Sequence, residues 1–182
     1  MSSKVTNWSN SYKMYSFSDT RQRLSGIRIN QILKKCPQCY QLTNNGRNIY
    51  SCGHIALLRL KKVKKAVYFL NTHEHWLVLG VFPAGQCLVI DPLNIVRSWP
   101  DVVRAITLFC KHNNLELFFF DYKFQRNNTQ ICGYLCLWAT LKISKLSFLD
   151  SFRLRNIISS NRISTNERAM MYAVYKHFRL NA

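Results

Sequence analysis

The sequence predicts an α+β domain: a small, mostly antiparallel sheet packed on one buried helix, with additional helices at the C-terminus. Three observations carry this. Four runs rich in β-forming residues follow one another after Ala66, and the first three are joined by connections short enough for hairpins. A helical stretch beginning at Cys132 is apolar throughout, which suits the interior. Two further helical stretches close the chain, and strands followed by helices is the order of an α+β domain. At 182 residues and 48% apolar, the chain has the size and composition of one domain with a real core.

Taken in order, residues 1–18 are rich in Ser, Asn and Tyr and read as an irregular arm. Residues 19–35 have room for a short helix weakened by Gly26, and Asn44-Asn45-Gly46 is a turn signal. The basic stretch 55–65 alternates poorly, so its type stays open. Residues 66–70, 75–82 and 87–91 read as strands, the third stopped by Pro92. Residues 100–112 read as a helix, with Asp101 in the first turn and Val102, Val103, Ile106, Leu108 and Phe109 as its apolar positions. Residues 115–122 form a fourth strand, apolar almost throughout and so expected to be buried on both faces. After the polar loop 125–130 come the buried helix, 132–143, and helices over 146–159 and 165–178. The single domain thus has a basic N-terminal subregion, 1–65, a core, 66–143, and C-terminal helices, 144–182.

Charge divides along the same lines. The chain carries 26 Lys+Arg against 8 Asp+Glu, a net of +18. Residues 1–65 hold +12 of it, 66–141 hold none, and 142–182 hold +6. A neutral apolar block between basic flanks points to a core that does chemistry and flanks that hold a polyanion. The run Arg59-Leu60-Lys61-Lys62-Val63-Lys64-Lys65 is a solvated face, a DNA-contacting patch or a nuclear localisation signal. Arg153, Arg155, Arg162, Arg168, Lys176 and Arg179 form a second stripe or solvate their helices. No segment approaches the ~18 consecutive apolar residues of a membrane-spanning helix. The first residues lack a signal-peptide apolar run, so no membrane partner is expected.

The seven cysteines, an odd number, do not read as a disulfide framework. They are core residues, metal ligands or nucleophiles. Cys36-Pro-Gln-Cys39, followed by Cys52-Gly-His54, offers four soft ligands compatible with tetrahedral zinc bracing the N-terminal subregion. A redox pair or plain structural cysteines are the other readings.

Four polar residues sit at the edges of the apolar block. His75 begins a strand, Asp91 ends the next, Gln125 opens the polar loop, and Cys132 lies at the start of the buried helix. A nucleophilic thiol must be a thiolate, and a helix N-terminus favours that form. It needs a base, which a His supplies, and the His needs an orienting carboxylate. The amides of Cys132 and of the Gln125 side chain would serve as oxyanion donors. Gly133 would leave room for substrate. His73 competes with His75 as base, since both share a strand face if the strand extends that far. Cys136, one turn after Cys132, reads as core.

The segments His75-Trp76, Asp91-Pro92 and Gln125-Arg-Asn-Asn-Thr-Gln-Ile-Cys132-Gly133 resemble the adenovirus-type cysteine endopeptidases, the adenain family. That family has a His-Trp strand start, an acid followed by Pro, and a Gln seven residues before a Cys-Gly pair, the spacing found here. The ubiquitin-like-protein proteases share the order with other spacings. The resemblance implies His75 as base, Asp91 as its acid, Cys132 as nucleophile, Gln125 as oxyanion donor and Trp76 as a wall of the site. It implies cleavage of viral precursor polypeptides during virion maturation, in the host nucleus and virion, by a monomer that DNA stimulates and that needs no cofactor for the chemistry itself. Family members capture an activating peptide by disulfide, and Cys110 lies near the equivalent place. The other functions to weigh are a ubiquitin-like-protein isopeptidase, an acetyltransferase of related fold and a non-enzymatic DNA-binding virion protein.

Overall fold

Short connections place the three central strands side by side. In the computed structural model, which describes residues 23–180, they are β2 (Ala66–Thr72), β3 (His75–Val81) and β4 (Gln86–Ile90). The arm expected over residues 1–18 lies outside the described residues. The three strands form an antiparallel meander, but the sheet as a whole is mixed rather than mostly antiparallel. β1 (Ile49–Ser51) joins β2 in parallel, and β5 (Glu116–Phe119) joins β4 in parallel, giving the order β1-β2-β3-β4-β5. The reason lies in the connections. Helices α3 (Cys52–Leu57) and α4 (Pro100–His112) each intervene between paired strands, and a helix carries the chain back to the end from which it left.

The strand period then builds two cores. Leu77, Leu79 and Val81 of β3 face α3 and α4, packing with Ile55, Ile106 and Phe109. Val78 and Phe82 alternate with them and face α5 (Cys132–Lys145). α5 is buried along nearly its whole length because it is enclosed between the sheet and α1 (Gly26–Leu33), α2 (Pro37–Leu42) and α7 (Ile163–His177). Each of its large apolar side chains contributes about 1.5–3 kcal/mol by leaving water. Gly80 sets the spacing on the β3 side: a Cβ there would stand 2.9 Å from Ile143 Cδ1. α6 (Phe148–Ser159) starts at Ser147, whose side chain accepts the Asp150 N–H, and lays Phe148 and Phe152 against Phe118 of β5.

Several local expectations change. β5 is an edge strand whose apolar residues are only half-buried, with α6 partly covering one face and α4 the other. The helix expected over 19–35 begins at Gly26, with Ser25 accepting the Arg28 N–H at its start. The open stretch 55–65 completes α3 and continues as a loop fastened by Asn113, which accepts the Leu60 N–H and donates to Leu58 O. Among the described residues, no helix is long and apolar enough to cross a membrane.

Candidate active site

Three chain segments converge at one end of the sheet. The first is the β2–β3 hairpin, whose two turn residues, His73 and Glu74, both take positive φ (47° and 59°). Such a turn matches the sheet's twist but strains residues other than Gly or Asn. A hydrogen bond between His73 and Asp101 at 3.1 Å and an ion pair between Glu74 and Arg23 at 3.1 Å hold it. The turn ends with Thr72 opposite His75, so His75 opens β3 and His73 stays outside it, paired with a different acid. That settles which histidine faces the thiol.

The second segment is the turn after β4, where Pro92 follows Asp91. The chain wraps around the Asp91 carboxylate and fills both oxygens. Oδ1 accepts from His75 Nε2 at 2.6 Å and from the Leu93 N–H at 3.0 Å. Oδ2 accepts from the N–H groups of Ile95 at 2.7 Å and Val96 at 2.9 Å. The third segment is the start of α5, where Cys132 is the first helical residue and no side chain caps the helix. His75 and Cys132 line the same cavity and interact electrostatically, and with Nε2 committed to Asp91 the His75 Nδ1 is the nitrogen left to face sulfur. The backbone N–H groups of Trp76 and Gly133 also favour negative charge on that sulfur.

The electrostatics follow from these contacts. Burial opposes charge on all three groups, and the partners overcome it. His75 is raised from 6.5 to about 9: burial lowers it, but the hydrogen bonds and charges of Asp91 and Cys132 outweigh that. Asp91 is lowered despite burial, by His75 and by the N–H groups of Ile95 and Leu93. Cys132 is likewise lowered despite burial, by His75 and by the N–H groups of Trp76 and Gly133. The arrangement therefore favours a thiolate–imidazolium pair.

A cavity of about 320 Å³ opens over the pair, lined by His75, Cys132, Trp99, Gln125 and the polar loop 127–130. Gln125 is 1% exposed; its Nε2 donates to Thr129 O at 2.8 Å, and its Oε1 has no partner among the described residues. No protein-family model matches the chain, and no curated protein matches it. The site must therefore be read from its own geometry.

Of the residues singled out in the sequence, His75, Asp91, Gln125 and Cys132 come together. Trp76 and Gly133 do not line the cavity. The Trp76 indole donates to Leu24 O at 2.7 Å, and a Cβ on Gly133 would lie 3.0 Å from Leu24 Cβ. Both fasten the segment preceding α1 against the start of α5; Trp76 reaches the chemistry through its backbone N–H. The wall of the site is Trp99, which stacks on His73 at 4.7 Å and presents its ring at 5.8 Å from that of His75. Its only sequence signal was its place before Pro100 at a helix start. Cys136 is core, its thiol donating to Trp76 O.

The four soft ligands of the N-terminal subregion do not form one site. Cys36 and Cys39 are buried on the α5 face of the sheet, where burial and the neighbouring Cys36 push the Cys39 thiol up. Cys52 lies at the start of α3 on the opposite face, its thiol raised by burial, and His54 is exposed and bonded to Ser51. The edge strand β1 lies between the two pairs along the chain. Among the described residues, no group of three or more His, Cys, Asp or Glu side chains is placed to hold a metal ion. Cys110 is buried and packs in the same core as Cys87, so it is closed to an incoming peptide.

Lys61, Lys62 and Lys64 are exposed on the loop before β2. Lys65 is not; its Nζ donates to Leu146 O at 2.8 Å, tying that loop to the chain just before α6. The basic loop is thus joined to the segment that carries the C-terminal basic side chains, of which Arg153, Arg162, Arg168, Lys176 and Arg179 are exposed and Arg155 stacks over Phe152.

Proposed function

We propose that the chain is a cysteine endopeptidase that processes viral precursor polypeptides while bound to DNA. One observation carries the proteolytic part: His75, bonded to Asp91, shares one cavity with the Cys132 thiol and the Gln125 amide. In this reading the Cys132 thiolate attacks the scissile carbonyl carbon, forming the C–S bond as the carbonyl π electrons move to oxygen. The Cys132 N–H and the Gln125 side-chain amide stabilise that oxyanion. The His75 imidazolium gives its proton to the leaving amine as the C–N bond breaks. His75 then accepts a proton from water as the water attacks the thioester, and the thiolate leaves. Asp91 keeps the imidazole oriented and compensates its charge throughout. Every step uses groups of the chain and water.

The precursor substrates, and the host nucleus and virion as the place of action, rest on the resemblance of the His-Trp, Asp-Pro and Gln–Cys-Gly segments. The DNA part is supported by the exposed Lys61, Lys62 and Lys64 and the exposed cations of α6 and α7. The test is cleavage of peptides containing Gly at the scissile bond, with and without duplex DNA at low salt. Cleavage is expected to vanish in Cys132→Ser and His75→Ala and to rise with DNA. Retained cleavage in Cys132→Ser overturns the proposal.

A further inference from the structure

The polar loop that carries Gln125 is held from two sides. On one, Pro92 O accepts the N–H groups of Phe124 at 2.9 Å and Gln125 at 3.0 Å, joining the loop to the turn that holds Asp91. On the other stands Glu167 of α7. Its Oε1 accepts the Arg126 backbone N–H, and its Oε2 accepts Arg126 Nε at 2.9 Å. Glu167 is 3% exposed, a buried carboxylate in a C-terminal region that is otherwise strongly basic. Burying a carboxylate is costly unless its oxygens are satisfied, and here one residue of the loop satisfies both. The next residue back along the chain is Gln125. Its side chain must keep one N–H aimed at a developing oxyanion, and displacement by about 1 Å is enough to cost roughly 100-fold in rate.

We propose that Glu167 is a positioning residue: by clamping Arg126 to α7 it fixes the Gln125 amide for oxyanion stabilisation, making the C-terminal helix part of the catalytic apparatus. The proposal rests on the endopeptidase reading. In Glu167→Gln the amide offers one acceptor where the carboxylate offered two, so either the Arg126 N–H or its guanidinium faces an NH2 group. The His75–Cys132 pair is not touched by this change.

The experiment separates the two. Iodoacetamide alkylation of Cys132 needs the ion pair but no oxyanion donor, whereas peptide hydrolysis needs both. Glu167→Gln is expected to alkylate within two-fold of wild type, to lose about 10-fold or more in kcat, and to keep KM within two-fold. Complete loss of an oxyanion donor, in Gln125→Ala, is expected to cost roughly 100–1,000-fold. Adding Glu167→Gln to Gln125→Ala should cost no more than a further two-fold, because the clamp then has nothing to position. Arg126→Ala keeps the backbone bond to Glu167 and should fall between wild type and Glu167→Gln. Full hydrolysis by Glu167→Gln, or losses that multiply in the double variant, overturns the proposal. If wild type cleaves no peptide, the endopeptidase reading has failed instead. The clamp is then read by hydrogen exchange at residues 125–130. Faster exchange in Glu167→Gln, with α5 unchanged, is the expected result, and unchanged exchange rejects the clamp.

Discussion

Replacing Asp91 by Asn removes a charge without removing volume, and the structure says what that does. Both carboxylate oxygens are occupied by N–H donors: Oδ1 by His75 and Leu93, Oδ2 by Ile95 and Val96. An amide has one oxygen, so its NH2 must turn toward one of these pairs. Toward Ile95 and Val96 it meets two donors. Toward His75 it forces Nε2 to accept and leaves the Leu93 N–H without a partner, at about 1–3 kcal/mol. Either way the imidazolium loses its counter-charge. With His75 at about 9 in the intact site, the imidazolium is about 97% populated at pH 7.5. Without Asp91, only Cys132 remains to oppose burial, so the ring titrates below about 9 and the imidazolium fraction at pH 7.5 falls. The ion pair should therefore thin at pH 7.5, by up to about 10-fold where the ring returns to its ordinary 6.5.

The same shift has a stability consequence. The folded-state pKa lies above the unfolded one, so the stabilisation is fully present below about pH 6.5 and is lost as pH rises through about 9. The full difference corresponds to about 3 kcal/mol, of which about 2 kcal/mol remains at pH 7.5. Two measurements check this: the His75 ring titration by NMR and the iodoacetamide rate at Cys132 across pH 6–10. Wild type should show a ring titration near 9, and Asp91→Asn should bring it down toward 6.5, with alkylation slower by up to about 10-fold at pH 7.5. A variant whose His75 still titrates near 9 would refute the reasoning.

Gly133→Ala should destabilise by roughly 1–3 kcal/mol, because its methyl group meets Leu24 Cβ at 3.0 Å; a melting temperature equal to wild type would show that the 23–25 segment yields freely. Trp99→Leu removes the ring beside His75 while leaving the His75–Asp91 bond in place, so peptide KM should rise several-fold with iodoacetamide reactivity retained. Peptide kinetics and alkylation, measured together, decide it. Replacing Lys61, Lys62 and Lys64 by Ala should weaken DNA binding and flatten the salt dependence of log K by up to about 2.7, at roughly 0.9 per phosphate contact. An unchanged slope places the DNA surface elsewhere on the protein.

Local pattern was enough for the centre of the sheet. The β2–β3–β4 meander was legible because short turns separate runs of β-formers, and α4 and α5 because their apolar residues follow a helical pattern or fill the helix. His75, Asp91 and Cys132 were legible because each sits at an end of such an element, where polar groups emerge from an apolar block, and Gln125 because it opens the polar loop before α5. The outer pairings were not. Whether β5 joins parallel or antiparallel depends on where α4 returns the chain, and no residue within β5 records that. The short helices α2 and α3 were hidden because six residues give too few turns for a periodicity to show.

The sequence by itself determined the chemical inventory: a thiol at a helix start, a histidine and an acid at strand ends, and basic flanks around a neutral core. Tertiary structure decided the partners. It gave Asp91 to His75 and Asp101 to His73, because the two-residue turn places one histidine in the strand and the other outside it. It separated Cys36 and Cys39 from Cys52 by placing them in the cores on opposite faces of the sheet. It turned the Trp76 side chain into a fastening for Leu24 and put Trp99 at the cavity. Each of these depends on which elements meet in space, and hydrogen bonds and burial between segments distant in sequence are fixed only when the chain has folded.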